Sequence, residues 1–122
     1  MIVGIGLDII ETARVQRALV KPGFLNRVYT PPEQEYLIRR KMNAQSAAGL
    51  FAAKEAVSKA LGTGIRNFSW QDIEILQDDN GKPYALLKGN ALERFKSIGG
   101  TNIHISITHI KDLAAAQAVI EG

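Results

Sequence analysis

The hydrophobic pattern changes period along the chain. Residues 2–10 are apolar and largely β-branched around two glycines, which reads as a buried strand. From roughly Thr12 to Val20 the spacing turns helical, with Val15, Ala18 and Leu19 inward and Arg14, Arg17 and Lys21 largely outward. Thr30-Pro31-Pro32-Glu33 marks a second helix start. Thr30 can cap, Pro31 suits the first turn and Glu33 completes a capping box, so a helix is expected to run to about Lys41. The longest helix is expected over Asn43 to Leu61, capped by Asn43 and stopped by Gly62. Its many small residues, among them Ala48, Gly49, Ala52, Ala53, Ala56 and Ala60, let another backbone approach closely, which puts this helix inside the fold.

The second half reads mainly as strands. Asp72 to Ile75 alternates polar and apolar, Asn80-Gly81 is a hairpin turn, and Pro83 to Leu87 returns from it. Asn90 to Ile98 makes a short amphipathic helix ending at Gly99-Gly100. Asn102 to Ile110 then puts Ile103, Ile105 and Ile107 on one face and His104, Ser106 and Thr108 on the other. A turn at Lys111-Asp112 leads to a last strand, Leu113 to Ile120. Helices mixed with antiparallel-type strands give an α+β class, and 122 residues without repeat or linker suit one domain, residues 1–122.

Composition narrows the chemistry. Cysteine is absent, which excludes disulfides, thiolate catalysis and cysteine-ligated zinc and fits a reducing cytoplasm. The N-terminus has no basic stretch ahead of an apolar run, so it does not read as a signal peptide, and no apolar stretch is long enough for a membrane span. The net charge of +3 is uneven. Residues 1–60 carry 9 Lys and Arg against 5 Asp and Glu, and residues 61–122 carry 6 against 7. A negatively charged partner is the inference, whether nucleic acid, phosphorylated metabolite or acidic protein.

Three segments hold the candidate chemistry. Asp8 is an acid inside an apolar strand, where a carboxylate is costly unless a cation or several donors meet it. Read alone, it equally suits a cap for the helix that follows. Glu55 and Lys59 share a helical face, which by itself reads as a surface ion pair. Phe51, one turn earlier, and the small residues around them argue for close packing at those charges instead. His104, Ser106 and Thr108 either line a cleft for an anion or form the exposed polar face of a half-covered sheet.

Taken together, Gly-Ile-Gly-Leu-Asp-Ile-Ile-Glu from Gly4, Phe-Ala-Ala-Lys-Glu-Ala-Val-Ser-Lys-Ala-Leu-Gly from Phe51, and His-Ile-Ser-Ile-Thr-His from His104 resemble the signature blocks of the phosphopantetheinyl transferases. Their order, spacing and the chain length are similar to the short carrier-protein-synthase branch. Gly62-Thr63-Gly64-Ile65 and the Asp79-to-Pro83 hairpin look like that branch too. The resemblance implies coenzyme A as donor, a serine of apo-acyl carrier protein as acceptor and adenosine 3′,5′-bisphosphate as leaving group. It implies Asp8 and Glu55 as magnesium ligands, consistent with the ion's preference for one or two carboxylates plus phosphate oxygens and water. Lys59 is implied beside the same phosphates, with Gly62, Gly64, His104, Ser106 and Thr108 on the coenzyme. Glu55 directly, or a water on the metal, serves as base for the serine, and the residues do not choose between them.

The resemblance further implies that Arg14, with Arg17 and Lys21 as companions, docks the acidic carrier. It implies a homotrimer with sites between subunits, in which separated monomers are inactive. One departure stands out: relatives often carry arginine immediately before Phe51, where this chain has Leu50. Rival readings are a basic nucleic-acid-binding module, a magnesium-dependent phosphohydrolase and a non-catalytic trimeric scaffold. The first is weakened by aromatics that amount to 7% and do not interleave with the basic cluster. The resemblance implies no nucleic-acid partner and no membrane.

Overall fold

A computed structural model describes residues 1–122. Its elements are β1 (Ile2–Glu11), α1 (Thr12–Leu19), α2 (Phe24–Val28), α3 (Pro31–Arg39), α4 (Ala44–Ala60), β2 (Ile73–Gln77), β3 (Pro83–Leu87), α5 (Gly89–Ser97), β4 (Asn102–His109) and β5 (Leu113–Glu121). A 3₁₀ turn, Trp70–Asp72, leads into β2. The α+β expectation holds, with one refinement: the strands form two sheets. Three antiparallel strands run in the order β1-β5-β4, and β2-β3 is a separate hairpin.

Helix α4 is the axis of the molecule. Asn43 caps it by accepting the Ser46 amide at 3.0 Å, and Gly62, at φ +86°, turns the chain away at its end. Ala47, Ala48, Ala52, Ala53, Ala56 and Ala60 are buried along it. The closest approach is to β1, whose Gly4 and Gly6 face the helix. A Cβ on Gly6 would collide with the carbonyl oxygen of Ala56, and one on Gly4 with that of Ala60. Strand and helix therefore meet backbone to backbone, at a distance that no residue with a side chain permits.

The capping box at Thr30 and Glu33 is formed, and Glu33 does more than cap. Its carboxylate is fully buried against the equally buried Lys54 of α4, with Nζ–Oε1 2.8 Å. Glu33 also accepts the amides of Thr30 (2.8 Å) and Ile75 (2.7 Å), while Lys54 donates to the carbonyls of Trp70 (3.0 Å) and Ile73. Burial pushes the Glu33 carboxyl up and the Lys54 ammonium down, and each is opposed by its partner's charge.

Two expectations need correction. Strand β1 is not buried on both faces. Gly4, Gly6 and Asp8 face α4, but Ile5, Leu7 and Ile9 on the other face are 67%, 68% and 64% exposed. A continuous apolar strand signals two covered faces, and this chain alone covers one. Helix α2 is absent from the sequence pattern, because five residues after Gly23 are too few to show a period. No helix is long and apolar enough to cross a membrane.

The glycine seam gives a direct test. Gly6→Ala should lower unfolding stability by about 1–3 kcal/mol or more, because the methyl group meets backbone that cannot swing aside. Urea unfolding against Gly81→Ala, whose Cβ meets nothing within 4 Å but which pays for its positive φ, separates collision from backbone strain. A smaller loss at Gly6 than at Gly81 would contradict the close approach.

Candidate active site

Asp8 leaves the inner face of β1 beside the C-terminal half of α4. It does not cap α1, which starts after Glu11 without any side-chain cap. Its partner is Lys59, whose Nζ lies 3.1 Å from Asp8 Oδ1 and 3.0 Å from the carbonyl oxygen of Leu7. The ion pair of Lys59 is therefore with Asp8 across the seam, not with Glu55 on its own helix. Only 15% of the Asp8 side chain is exposed.

Glu55 is half-buried one turn before Lys59. Burial pushes its carboxyl above the usual range, the charge of Asp8 pushes it further, and Lys59 opposes both. Asp8 and Glu55 are thus two carboxylates from facing elements, close enough for the charge of Asp8 to oppose ionisation of Glu55. A cation between them removes that repulsion. No group of three or more metal-ligating side chains exists in the chain. The donor set is therefore two carboxylates, which fits magnesium completed by phosphate and water oxygens.

Beyond Lys59 the chain forms an open recess of about 440 Å³ lined by Lys59, Gly62, Thr63, Gly64, Ile65 and Arg66. Gly62 and Gly64 both have positive φ, at +86° and +64°, so the loop turns tightly at residues without side chains. Arg94 of α5 braces this loop, its Nε donating to the Leu61 carbonyl at 2.8 Å. Sequence reasoning missed Arg94, since nothing local distinguishes it from Lys96, the other basic residue of α5.

His104, Ser106 and Thr108 stand elsewhere. They pair with Val119, Gln117 and Ala115, which in turn pair with Ile5, Leu7 and Ile9. All of these lie on the outer face of the sheet, whereas Asp8 points to α4. Within one chain the structure does not bring the three strand residues to Asp8, Glu55 and Lys59. The reason is the strand's two-residue alternation. His104 Nε2 meets Glu121 Oε1 at 2.5 Å, and this contact holds the Glu121 carboxyl below the usual carboxylate range.

Arg14, Arg17 and Lys21 are exposed on and after α1. Arg14 also rims an apolar pocket of about 160 Å³, formed by Ile10, Val15, Ala18, Phe24 and Phe51. Phe51 stacks on Phe24 and on Trp70, with centroids 6.3 and 4.9 Å apart. Leu50 is 2% exposed and lines a recess with Tyr36, Arg40 and His109. Packing occupies that position here, and Arg40 is a cation lining the same recess.

Comparisons with known proteins identify the family. Residues 4–118 match the model of the 4′-phosphopantetheinyl transferase superfamily. The chain belongs to that superfamily. A holo-[acyl-carrier-protein] synthase of Alkaliphilus metalliredigens is 53% identical over 120 residues, covering 98% of each chain. Among solved structures, the Neisseria meningitidis holo-[acyl-carrier-protein] synthase superposes with a TM-score of 0.88 at 35% identity, covering 100% of both chains. The Helicobacter pylori holo-[acyl-carrier-protein] synthase, solved in complex with coenzyme A, gives 0.85 at 33% identity, covering 96% of this chain and 99% of that one. In this transferase Asp8, Glu55 and Lys59 meet at one seam.

The electrostatics of that seam are testable without substrate. Folding raises the Glu55 pKa, so just above the ordinary carboxylate range the folded chain holds more protons than the unfolded one. The contribution of Glu55 to stability therefore falls as pH rises through that window. Glu55→Gln should raise the thermal midpoint at neutral pH and lose the benefit on acidification. Asp8→Asn should move the Glu55 carboxyl titration, followed by ¹³C NMR, toward ordinary values. A Glu55 titration unmoved by Asp8→Asn would mean the two carboxylates do not interact.

Proposed function

We propose that this chain transfers the 4′-phosphopantetheine arm of coenzyme A to a serine of apo-acyl carrier protein, releasing adenosine 3′,5′-bisphosphate. The observation that carries the reading is the meeting of Asp8, Glu55 and Lys59, the last of which also lines the recess with Gly62 and Gly64, in a chain of this superfamily. The serine hydroxyl gives its proton to a base, Glu55 or a water, as its oxygen attacks the phosphorus that bears the pantetheine arm. The bond from that phosphorus to the bridging oxygen breaks, and negative charge builds on the departing nucleotide.

Asp8 and Glu55 are the residues that hold magnesium. The ion supplies neutralisation of charge on the coenzyme's pyrophosphate. Lys59 is already anchored by Asp8 and the Leu7 carbonyl, so its ammonium meets the departing phosphate with little reorganisation. Gly62 and Gly64 leave room for phosphate oxygens to approach backbone.

Arg14, Arg17 and Lys21 dock the acidic carrier, and the apolar pocket beside Arg14 gives it an anchor for an apolar side chain. His104, Ser106 and Thr108 reach the coenzyme held by a neighbouring copy, in a homotrimer that covers Ile5, Leu7 and Ile9. Both substrates are solutes of the cytoplasm, where we expect the enzyme to act.

The deciding experiment incubates the protein with apo-acyl carrier protein, coenzyme A and magnesium and weighs the carrier. We expect one phosphopantetheine added on a serine. EDTA should abolish it, and Glu55→Ala should slow it by at least about a thousandfold, as for loss of a principal charge-stabilising group. No mass gain with several carriers from a folded protein would refute the transferase. Coenzyme A hydrolysed without a carrier would make it a phosphohydrolase.

Two further outcomes test docking and assembly. Arg14→Ala should lower kcat/KM for the carrier about tenfold at low ionic strength, with the gap closing as salt rises. Leu7→Asp should yield a folded monomer by sedimentation, without transferase activity. A fully active monomer would sink the shared-site reading.

A further inference from the structure

The Lys54–Glu33 pair is costly for a core of this size. Replacing buried ion pairs by apolar residues is often neutral or stabilising, so stability alone is a weak reason to build one. This pair is also fully satisfied. The three donors of Lys54 meet Glu33 Oε1, the Trp70 carbonyl and the Ile73 carbonyl. Glu33 Oε1 and Oε2 take the amides of Thr30 and Ile75 as well. One lysine on α4 is thereby tied to the start of α3, to the 3₁₀ turn and to β2.

Lys54 immediately precedes Glu55. The glycine seam fixes how close α4 lies to β1, but Gly4 and Gly6 have no side chains that interlock with the helix, so its rotation is set by the side chains packed on its other faces, Lys54 among them. Side-chain tips lie about 5–6 Å from a helix axis, so a rotation of about 20° carries the Glu55 carboxylate about 2 Å. Magnesium accepts oxygen ligands only near 2.0–2.1 Å in nearly octahedral arrangement. A helix free to roll by that amount loses the ion.

We propose that Lys54 and Glu33 are positioning residues: their buried pair fixes the rotation of α4 so that Glu55 faces Asp8 across the seam. The proposal rests on the reading of Asp8 and Glu55 as metal ligands and extends it to two residues that touch neither metal nor substrate.

The test compares Lys54→Met, which keeps side-chain length, with Leu37→Ala. Leu37 is a fully buried residue of α3, and its truncation destabilises the fold while leaving both charges of the pair in place. Mn²⁺ binding in the presence of coenzyme A is followed by electron paramagnetic resonance, and carrier KM is measured at saturating metal. Lys54→Met should weaken Mn²⁺ binding about 10–100-fold, as loss of outer-sphere support does, with excess metal restoring turnover and carrier KM within about twofold. Leu37→Ala should leave Mn²⁺ binding unchanged.

Metal binding by Lys54→Met equal to that of the unmodified chain, or weakened equally in Leu37→Ala, would overturn the proposal. Should Lys54→Met fail to fold, Glu33→Gln, which keeps the volume, takes its place in the same titration: weakened Mn²⁺ binding supports the pairing and unchanged binding overturns it. An unmodified chain that binds no Mn²⁺ overturns the metal reading and this one together. Unmodified chain binding the ion normally beside an unaffected variant overturns only the pairing argument.

Discussion

Two glycines set the distance between β1 and α4, and that distance decides whether Asp8 and Glu55 address the same point in space. Gly4 and Gly6 let the strand backbone rest on the carbonyls of Ala56 and Ala60. The helix answers with alanines rather than larger residues over the same stretch. Asp8 then projects from the strand two residues after Gly6, at the level of α4 that carries Glu55 and Lys59. A larger side chain anywhere in this seam would push the carboxylates apart before it affected any other part of the fold.

Two lysines on α4 illustrate how burial assigns roles. Lys54 and Lys59 are five residues apart and both bind carboxylates, yet Lys54 is wholly enclosed while 49% of the Lys59 side chain is exposed. Enclosure gives Lys54 a fixed set of oxygen partners that nothing from solvent can replace, so it serves geometry. Exposure leaves Lys59 with a carboxylate, a carbonyl and free access to the recess beyond, so its charge is available to an incoming anion. The same reasoning separates Glu33 from Glu55. Glu33 has a cation and two amides; Glu55 has burial and the like charge of Asp8, which the charge of Lys59 offsets only in part.

Much of this is legible in the sequence, for local reasons. Thr30-Pro31-Pro32-Glu33, Asn43, Gly62 and Asn80-Gly81 are caps, stops and turns whose chemistry is complete within four residues, and each falls where the pattern puts it. The alternation in β4 is equally clear. Long-range pairings are not legible. Nothing near Lys54 distinguishes it from a surface lysine, and its partner is 21 residues away, already explained as a helix cap. Arg94 is 33 residues from the carbonyl it braces. The exposed side of β1 escapes the sequence for a related reason: composition reports that a strand wants both faces covered, not whether its own chain covers them.

That open face bears on how the site is completed. Asp8 and Leu7 are neighbours on β1, so strand geometry sends them to opposite faces, and the registers through β5 carry this alternation to β4. Every residue aligned with Leu7 across the sheet, Gln117 and Ser106 included, shares its outward direction. A single chain can therefore offer the Asp8 face or the Ser106 face to one ligand, but not both. A row of isoleucines and leucine left largely open to water is unusual for a chain that works alone. In the proposed trimer a neighbouring copy covers this row, and that copy's Asp8 seam is the one His104, Ser106 and Thr108 would serve. Two properties of β1, its apolar outer face and its acid on the inner face, then follow from one alternation: the residues that face α4 build the seam, and those between them are left for whatever covers the sheet.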